Sequence, residues 1–210
     1  MDAHTFETRR TRKLDYLLYL PEDTVEPAPL LLYLHGGGES GQDVELLKTC
    51  GLPRLLEQGQ TFPFIVLAPQ NPNPDGLFSD ETVVALLEEV MATHPVDAKR
   101  VYLTGFSRGG FAAWRMAMQR PDLFAALVPV AAGGLVFYAF LARDVPVWAF
   151  HGARDETIPL SLGSEMVEAF RAAGGSVKFT VFSEADHAQT HEQTYQQPEL
   201  YEWLLRQAKD

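Results

Sequence analysis

Short apolar runs alternate along this chain with longer stretches in which apolar residues recur at helical spacing. Leu30-Leu31-Leu32-Tyr33-Leu34 and Phe64-Ile65-Val66-Leu67-Ala68 are apolar at every position, as strands covered on both faces must be. Eight strands are predicted, near 4–9, 14–20, 30–35, 64–68, 101–105, 126–131, 145–150 and 177–182. The short polar step from Arg10 to Lys13 pairs the first two as an antiparallel edge hairpin, and the other six read as parallel. Helices over 80–93, 108–119, 163–173 and 195–208 supply crossovers. Ser79 is a candidate N-cap with acidic residues after it, the second helix stops before Pro121, and Gly174-Gly175 ends the third. The pattern predicts one α/β domain over 1–210, a mostly parallel sheet of about eight strands with helices on both faces.

Composition narrows the function classes. With 46% hydrophobic residues in 210, the chain can bury a core, which excludes disorder as its main state. Seventeen basic residues against 28 acidic ones leave a net charge of −11, a field that repels phosphate backbones and anionic head groups, so nucleic acid is not expected as a partner. Cys50 is the only cysteine, which rules out an intramolecular disulfide and a cysteine-rich zinc site and fits a reducing, cytoplasmic compartment. Arg9, Arg10, Arg12 and Lys13 are followed by no apolar h-region, and no apolar run approaches the ~18 residues of a membrane span. A small-molecule substrate is the expected partner, with pairing to a second copy of the chain left open.

In an open α/β sheet, chemistry gathers just past the carboxyl ends of the strands. Gly105-Phe106-Ser107-Arg108-Gly109 is a G-x-S-x-G between a predicted strand and a predicted helix. There, a strained turn pushes the serine outward, and flanking side chains larger than glycine would collide with backbone. Otherwise it would be a glycine-rich helix start with an incidental serine.

A serine hydroxyl needs a base, and the base needs an acid to orient it, in the chain order serine, acid, histidine. His187, a few residues past the strand 177–182, is the candidate base. His191 is the rival, closer to the last helix, and His151 is expected to be a turn residue bonded to backbone. Asp155 is the candidate acid, with Glu156 and Asp186 as neighbours able to substitute. Past the strand 30–35, His35-Gly36-Gly37-Gly38-Glu39-Ser40-Gly41 offers backbone donors for an oxyanion. Gly37, or else Gly38, and Arg108 are the expected pair. Leu135, Phe137, Tyr138 and Phe140, with Phe78 and Phe106, are candidate walls of a substrate pocket, or simply core. The Arg108 guanidinium is expected to pair with a carboxylate.

These residues resemble the α/β-hydrolase superfamily over nearly the whole chain. They are similar to its lidless esterase group, which includes dienelactone-hydrolase-like, phospholipase/carboxylesterase-like and predicted-peptidase sequences. The resemblance is carried by the segment from Leu34 to Gly41, by Gly105-Phe106-Ser107-Arg108-Gly109-Gly110, by Phe150-His151-Gly152-Ala153-Arg154-Asp155-Glu156, and by the segment from Pro198 to Leu205. It implies an α/β-hydrolase fold without a lid, cleavage of carboxylic esters through an acyl-enzyme, and no metal or organic cofactor. It places the catalytic labels on Ser107, Asp155 and His187. Two departures stand out. The residue before the family's histidine is commonly glycine, and here Asp186 is expected to raise the His187 pKa or reshape the loop. The stretch 70–79 is short, which reduces the wall it usually forms. A peptidase or thioesterase of the same fold, or an inactive binding module, are the alternatives.

Overall fold

A computed structural model describes residues 7–10, 14–22 and 26–209. Eight strands form one sheet in the order β1-β2-β4-β3-β5-β6-β7-β8. They are β1 (Glu7–Arg10), β2 (Asp15–Tyr19), β3 (Ala28–Leu34), β4 (Ile65–Pro69), β5 (Val96–Phe106), β6 (Ala126–Val130), β7 (Val147–Gly152) and β8 (Val177–Phe182). β2 is antiparallel to both β1 and β4, and every other pairing is parallel. The helices are α1 (Gly51–Glu57), α2 (Asp80–Thr93), α3 (Arg108–Gln119), α4 (Leu160–Ala172), α5 (His187–Tyr195) and α6 (Pro198–Leu205), with 3₁₀ helices at Val44–Thr49 and Val136–Ala142.

Successive side chains on a strand point to opposite faces, and that alternation builds two cores. Leu30, Leu32 and Leu34 of β3, Val101 and Leu103 of β5, and Val147 and Ala149 of β7 join Leu87, Trp114, Met166 and Phe170 of α2, α3 and α4. The intervening Leu31, Tyr33, Tyr102, Val128, Trp148 and Phe150 join Leu52, Tyr195, Leu200 and Leu204 of α1, α5 and α6. All seven residues of β3 are buried, whereas β8 is only partly covered. At roughly 1.5–3 kcal/mol for each fully buried large apolar side chain, the β3–β5 centre contributes far more than the β8 edge. Ser79 caps α2 through the Thr82 N–H, with Asp80 and Glu81 in the first turn. Asp80 also takes a two-pronged ion pair from Arg115, which pins α2 to α3.

Eight strands and the four predicted helical regions are present, with revised boundaries. The first predicted strand falls partly outside the described residues and is seen at Glu7–Arg10. β5 begins five residues early, because Val96 pairs with Ala28 ahead of a register shift that holds the extra residues in β5. α4 begins at Leu160, behind Pro159. The predicted last helix, 195–208, is α6, which begins on Pro198, a residue suited to a first helical turn, and α5 before it was not predicted. The helical run from Val44 to Glu57 was not predicted, since its apolar residues are too few to show a period. The segment from β6 to β7 holds only the short 3₁₀ helix, so there is no lid. Among the described residues no helix is long and apolar enough to cross a membrane.

Trp114 is 1% exposed and packs on Phe170 at 5.4 Å, while Val181 on β8 is 41% exposed. Trp114→Ala is expected to cost about 3–5 kcal/mol and Val181→Ala less than about 1 kcal/mol. Urea midpoints followed by circular dichroism check the ranking.

Candidate active site

Ser107 sits at φ 53° and ψ −118°, in the left-handed region a side chain rarely enters, between the end of β5 and the start of α3. Its N–H is held by the Val130 carbonyl at 2.9 Å. A Cβ at Gly105 would lie 2.3 Å from the Gly109 carbonyl oxygen, and one at Gly109 would lie 2.1 Å from that of Leu34. Both glycines are therefore obligatory for this turn, which presses against the end of β3.

Asp155 follows β7 and its side chain is fully buried. Oδ1 accepts the N–H groups of Thr157 (3.0 Å) and Ile158 (2.8 Å), leaving Oδ2 to accept from His187 Nδ1 at 2.6 Å. This fixes the carboxylate on two backbone donors and aims its free oxygen at one ring nitrogen. With the proton on Nδ1, His187 Nε2 is left as the acceptor. Glu156 and Asp186, the alternative acids, make no such bond. Asp186 is instead the N-cap of α5, accepting the Gln189 N–H at 2.8 Å while Gln189 Oε1 takes the Asp186 N–H. The expected loop around His187 is thus the first turn of a helix. Asp186, expected to reshape the loop, caps this helix. His151 bonds to backbone as expected, its Nε2–H reaching the Ile158 carbonyl at 2.9 Å, but it lies in β7 rather than in a turn, and burial lowers its pKa.

Phe106 and Arg108, flanking Ser107, tie it to the other parts. The Phe106 ring lies 4.6 Å from His187, and a Cβ on Gly36 would touch it at 2.9 Å. The Arg108 guanidinium lies over Gly37 and donates from Nη1 to the carbonyls of Pro74 (2.5 Å) and Gly76 (3.2 Å). The expectation of a carboxylate partner for Arg108 is therefore wrong: it latches the short 71–76 wall to the serine turn. The glycine loop is anchored by His35, whose Nε2 accepts the Asn71 N–H at 2.9 Å while Nδ1–H bonds the Gly36 carbonyl at 2.6 Å. These bonds fix its tautomer.

Behind the site lies a buried polar group that sequence reasoning missed. His191, 3% exposed, stacks on Phe106 at 4.0 Å and 9°, and its Nε2 bonds Tyr33 OH at 2.9 Å. It is not the base. Burial pulls its pKa down to about 4, so it is neutral packing. The Cys50 thiol donates to Glu39 Oε1 at 3.1 Å. Burial and the Glu39 carboxylate push that thiol up to about 12. Burial also raises Glu39, but the His35 and Cys50 side chains outweigh it and hold the carboxyl at about 2. Arg54 of α1 pairs with Glu192 of α5, clamping the helix that carries both histidines. Only a His-x-x-x-His spacing, one helical turn, hinted at this arrangement.

Of the expected pocket walls, only Phe106 stands at the site. Phe78 is buried edge-on against His35 at 4.9 Å, and Phe137, Tyr138, Leu135 and Phe140 are more than half exposed, Phe137 at 88%. They form no enclosure around Ser107, because without a lid nothing packs over their segment. Beside His187 opens a polar cleft of about 470 Å³ lined by Arg154, Glu156, Thr157 and Asp186. Among the described residues no group of three His, Cys, Asp or Glu side chains is placed to hold a metal ion.

The sequence profile of the dienelactone hydrolase family matches residues 78–201, more than half of the chain. The chain belongs to this family. A crystal structure described as a thermostable esterase superposes with a TM-score of 0.83 at 27% identity, covering 99% of this chain and 64% of that one. A bifunctional acetylxylan esterase/xylanase of Neocallimastix patriciarum is 29% identical over 163 residues, 74% of this chain and 23% of the relative. The poly(3-hydroxyalkanoate) depolymerase C of Paucimonas lemoignei is 27% identical over 136 residues, 57% of this chain and 31% of the relative. This dienelactone hydrolase family member thus spans less than half of either curated relative. The acylaminoacyl peptidase of Pyrococcus horikoshii, at 18% identity and a TM-score of 0.70 over 98% of this chain and 41% of that one, shares the fold.

His191 supplies a test of the electrostatics. Its pKa is near 6.5 unfolded and about 4 folded, so between those values the unfolded chain binds the extra proton. Stability is full above about pH 6.5 and declines by roughly 3 kcal/mol as pH falls to 4. Glu39, held low, adds its own loss only below its usual value of 4.5. Melting temperatures between pH 7 and 5 are expected to drop in wild type and to drop less steeply in His191→Gln, where buried His151 still adds its share. Parallel slopes would contradict the assignment.

Proposed function

We propose that this protein is a serine hydrolase of carboxylic esters. One observation carries the reading: a buried carboxylate with two backbone donors bonds His187 Nδ1 at 2.6 Å, and the ring of Phe106, which packs on that histidine, immediately precedes a serine held at φ 53°. Ser107 Oγ attacks the acyl carbon while His187 Nε2 takes its proton. The tetrahedral oxyanion is met by the N–H groups of Gly37 and Arg108, at the end of β3 and the start of α3. The same histidine protonates the departing alcohol, and an acyl group remains on Ser107. Water, deprotonated by His187, then releases the acid and restores the serine. Asp155 keeps the imidazole in one tautomer and stabilises its charged form.

Esters rather than amides are proposed because the relatives matched at up to 29% identity include esterases by name, whereas the peptidase likeness stops at the fold. The open polar cleft on the His187 side gives the leaving alcohol room in water.

Ser107→Ala and His187→Ala are expected to lower kcat on p-nitrophenyl acetate by at least about 10³-fold, and Asp155→Asn by about 10²–10⁴-fold, with melting temperatures near wild type. A fluorophosphonate probe should add one adduct to wild type by intact mass and none to Ser107→Ala. An adduct on both, or none on folded wild type, sinks the assignment. Retained activity in Asp155→Asn would move the acid to Glu156 or Asp186.

A further inference from the structure

The 3₁₀ helix Val136–Ala142 carries a feature the esterase reading does not use. In a 3₁₀ helix, residues three apart eclipse one another, so the segment presents three rows. Ala139 and Ala142, with Val136, form the row packed on the protein. The other two rows, Leu135/Tyr138/Leu141 and Phe137/Phe140, face water, each side chain at least 43% exposed. Leu162, at the start of α4, is 41% exposed and borders them: a Cβ on Gly133 would lie 2.9 Å from its carbonyl oxygen. Both exposed rows are wholly apolar, an arrangement that monomeric proteins avoid unless the surface has a use.

Its position and charge select the occupant. The segment leaves the sheet directly after Val130, whose carbonyl holds the Ser107 N–H, so its first residues start beside the serine turn before it runs over α3 and α4. The twelve residues 131–142 contain no charged side chain, although the chain carries −11 overall. At the margin Arg143 and Asp144 lie 3.8 Å apart and cancel each other. Such a face offers nothing to an anionic lipid and is complementary to an uncharged phase. A fully exposed aromatic presents ~150–250 Å², so these six half-exposed side chains offer on the order of 600 Å². Two copies would also bring net charges of −11 together, which argues against a second copy.

We propose that this face seats the protein on droplets of a water-insoluble, uncharged ester, bringing Ser107 to a substrate that stays in its own phase. The proposal rests on the ester-hydrolase reading, and its test separates the two.

Adsorption to tributyrin droplets is measured by sedimentation in the Ser107→Ala background, with and without Leu141→Asp/Leu162→Asp. Turnover of dissolved p-nitrophenyl acetate is measured with the serine intact. The double variant should partition to droplets at least tenfold less while turning over the dissolved ester within twofold of wild type. If it melts early, Leu141→Ser/Leu162→Ser takes its place. Equal adsorption with and without the substitutions overturns the proposal, as does equal adsorption to phosphatidylserine vesicles. A wild-type dimer that the substitutions dissociate overturns it in favour of a second copy. Adsorption without turnover of either ester sinks the hydrolase reading and, with it, the droplet as substrate.

Discussion

The contact on which the site depends is between backbones. Where β5 turns into α3, Gly109 lies so close to the end of β3 that a single added methyl would enter the Leu34 carbonyl oxygen. That approach forces the turn at Ser107 into left-handed geometry. It also brings the glycine loop that follows β3 alongside the first N–H groups of α3. Conformational strain of about 1–3 kcal/mol at one residue is offset by the many buried apolar side chains of the strands that meet there. The strain is local, and its support is the whole sheet.

From this contact the arrangement spreads through one aromatic ring. Phe106 touches Gly36 on one strand end, His187 on another, and His191 behind both. A ring shared by three elements transmits position by packing, because close-packed interiors resist small displacements. Tyr33 holds His191, the Arg54–Glu192 pair clamps α5, and Glu39 ties the glycine loop to Cys50. These polar contacts, buried at Tyr33–His191 and part-buried elsewhere, tie α1, α5 and the glycine loop to one another.

How much of this could be read from the chain differs from part to part. Strands such as 30–35 were legible because their residues are apolar on both faces, and Ser107 because glycine spacing reports backbone geometry directly. Asp155 and His187 were legible from their places past strand ends. Helix α5 was hidden because His187 to Tyr195 is mostly polar and has little periodicity, whereas its cap, Asp186, reads as an ordinary acidic loop residue. Arg108 was misjudged because its acceptors are backbone carbonyls of the 71–76 loop, which no residue type announces. The pocket walls failed for a related reason: an aromatic side chain has the same letter whether it is core, like Phe78, or in water, like Phe137.

The order of the parts along the chain has a consequence for synthesis. Ser107 and the glycine loop are made first, and His187 follows Ser107 by 80 residues. At ~5–20 residues per second, a growing chain carries the serine for about 4–16 s before the imidazole exists. Throughout that interval β7, β8 and α5 have yet to dock, and the hydroxyl has no base to take its proton. On the proposed mechanism the nascent protein is therefore born inert, and the serine gains its reactivity only when the last strands of the sheet close onto the earlier ones.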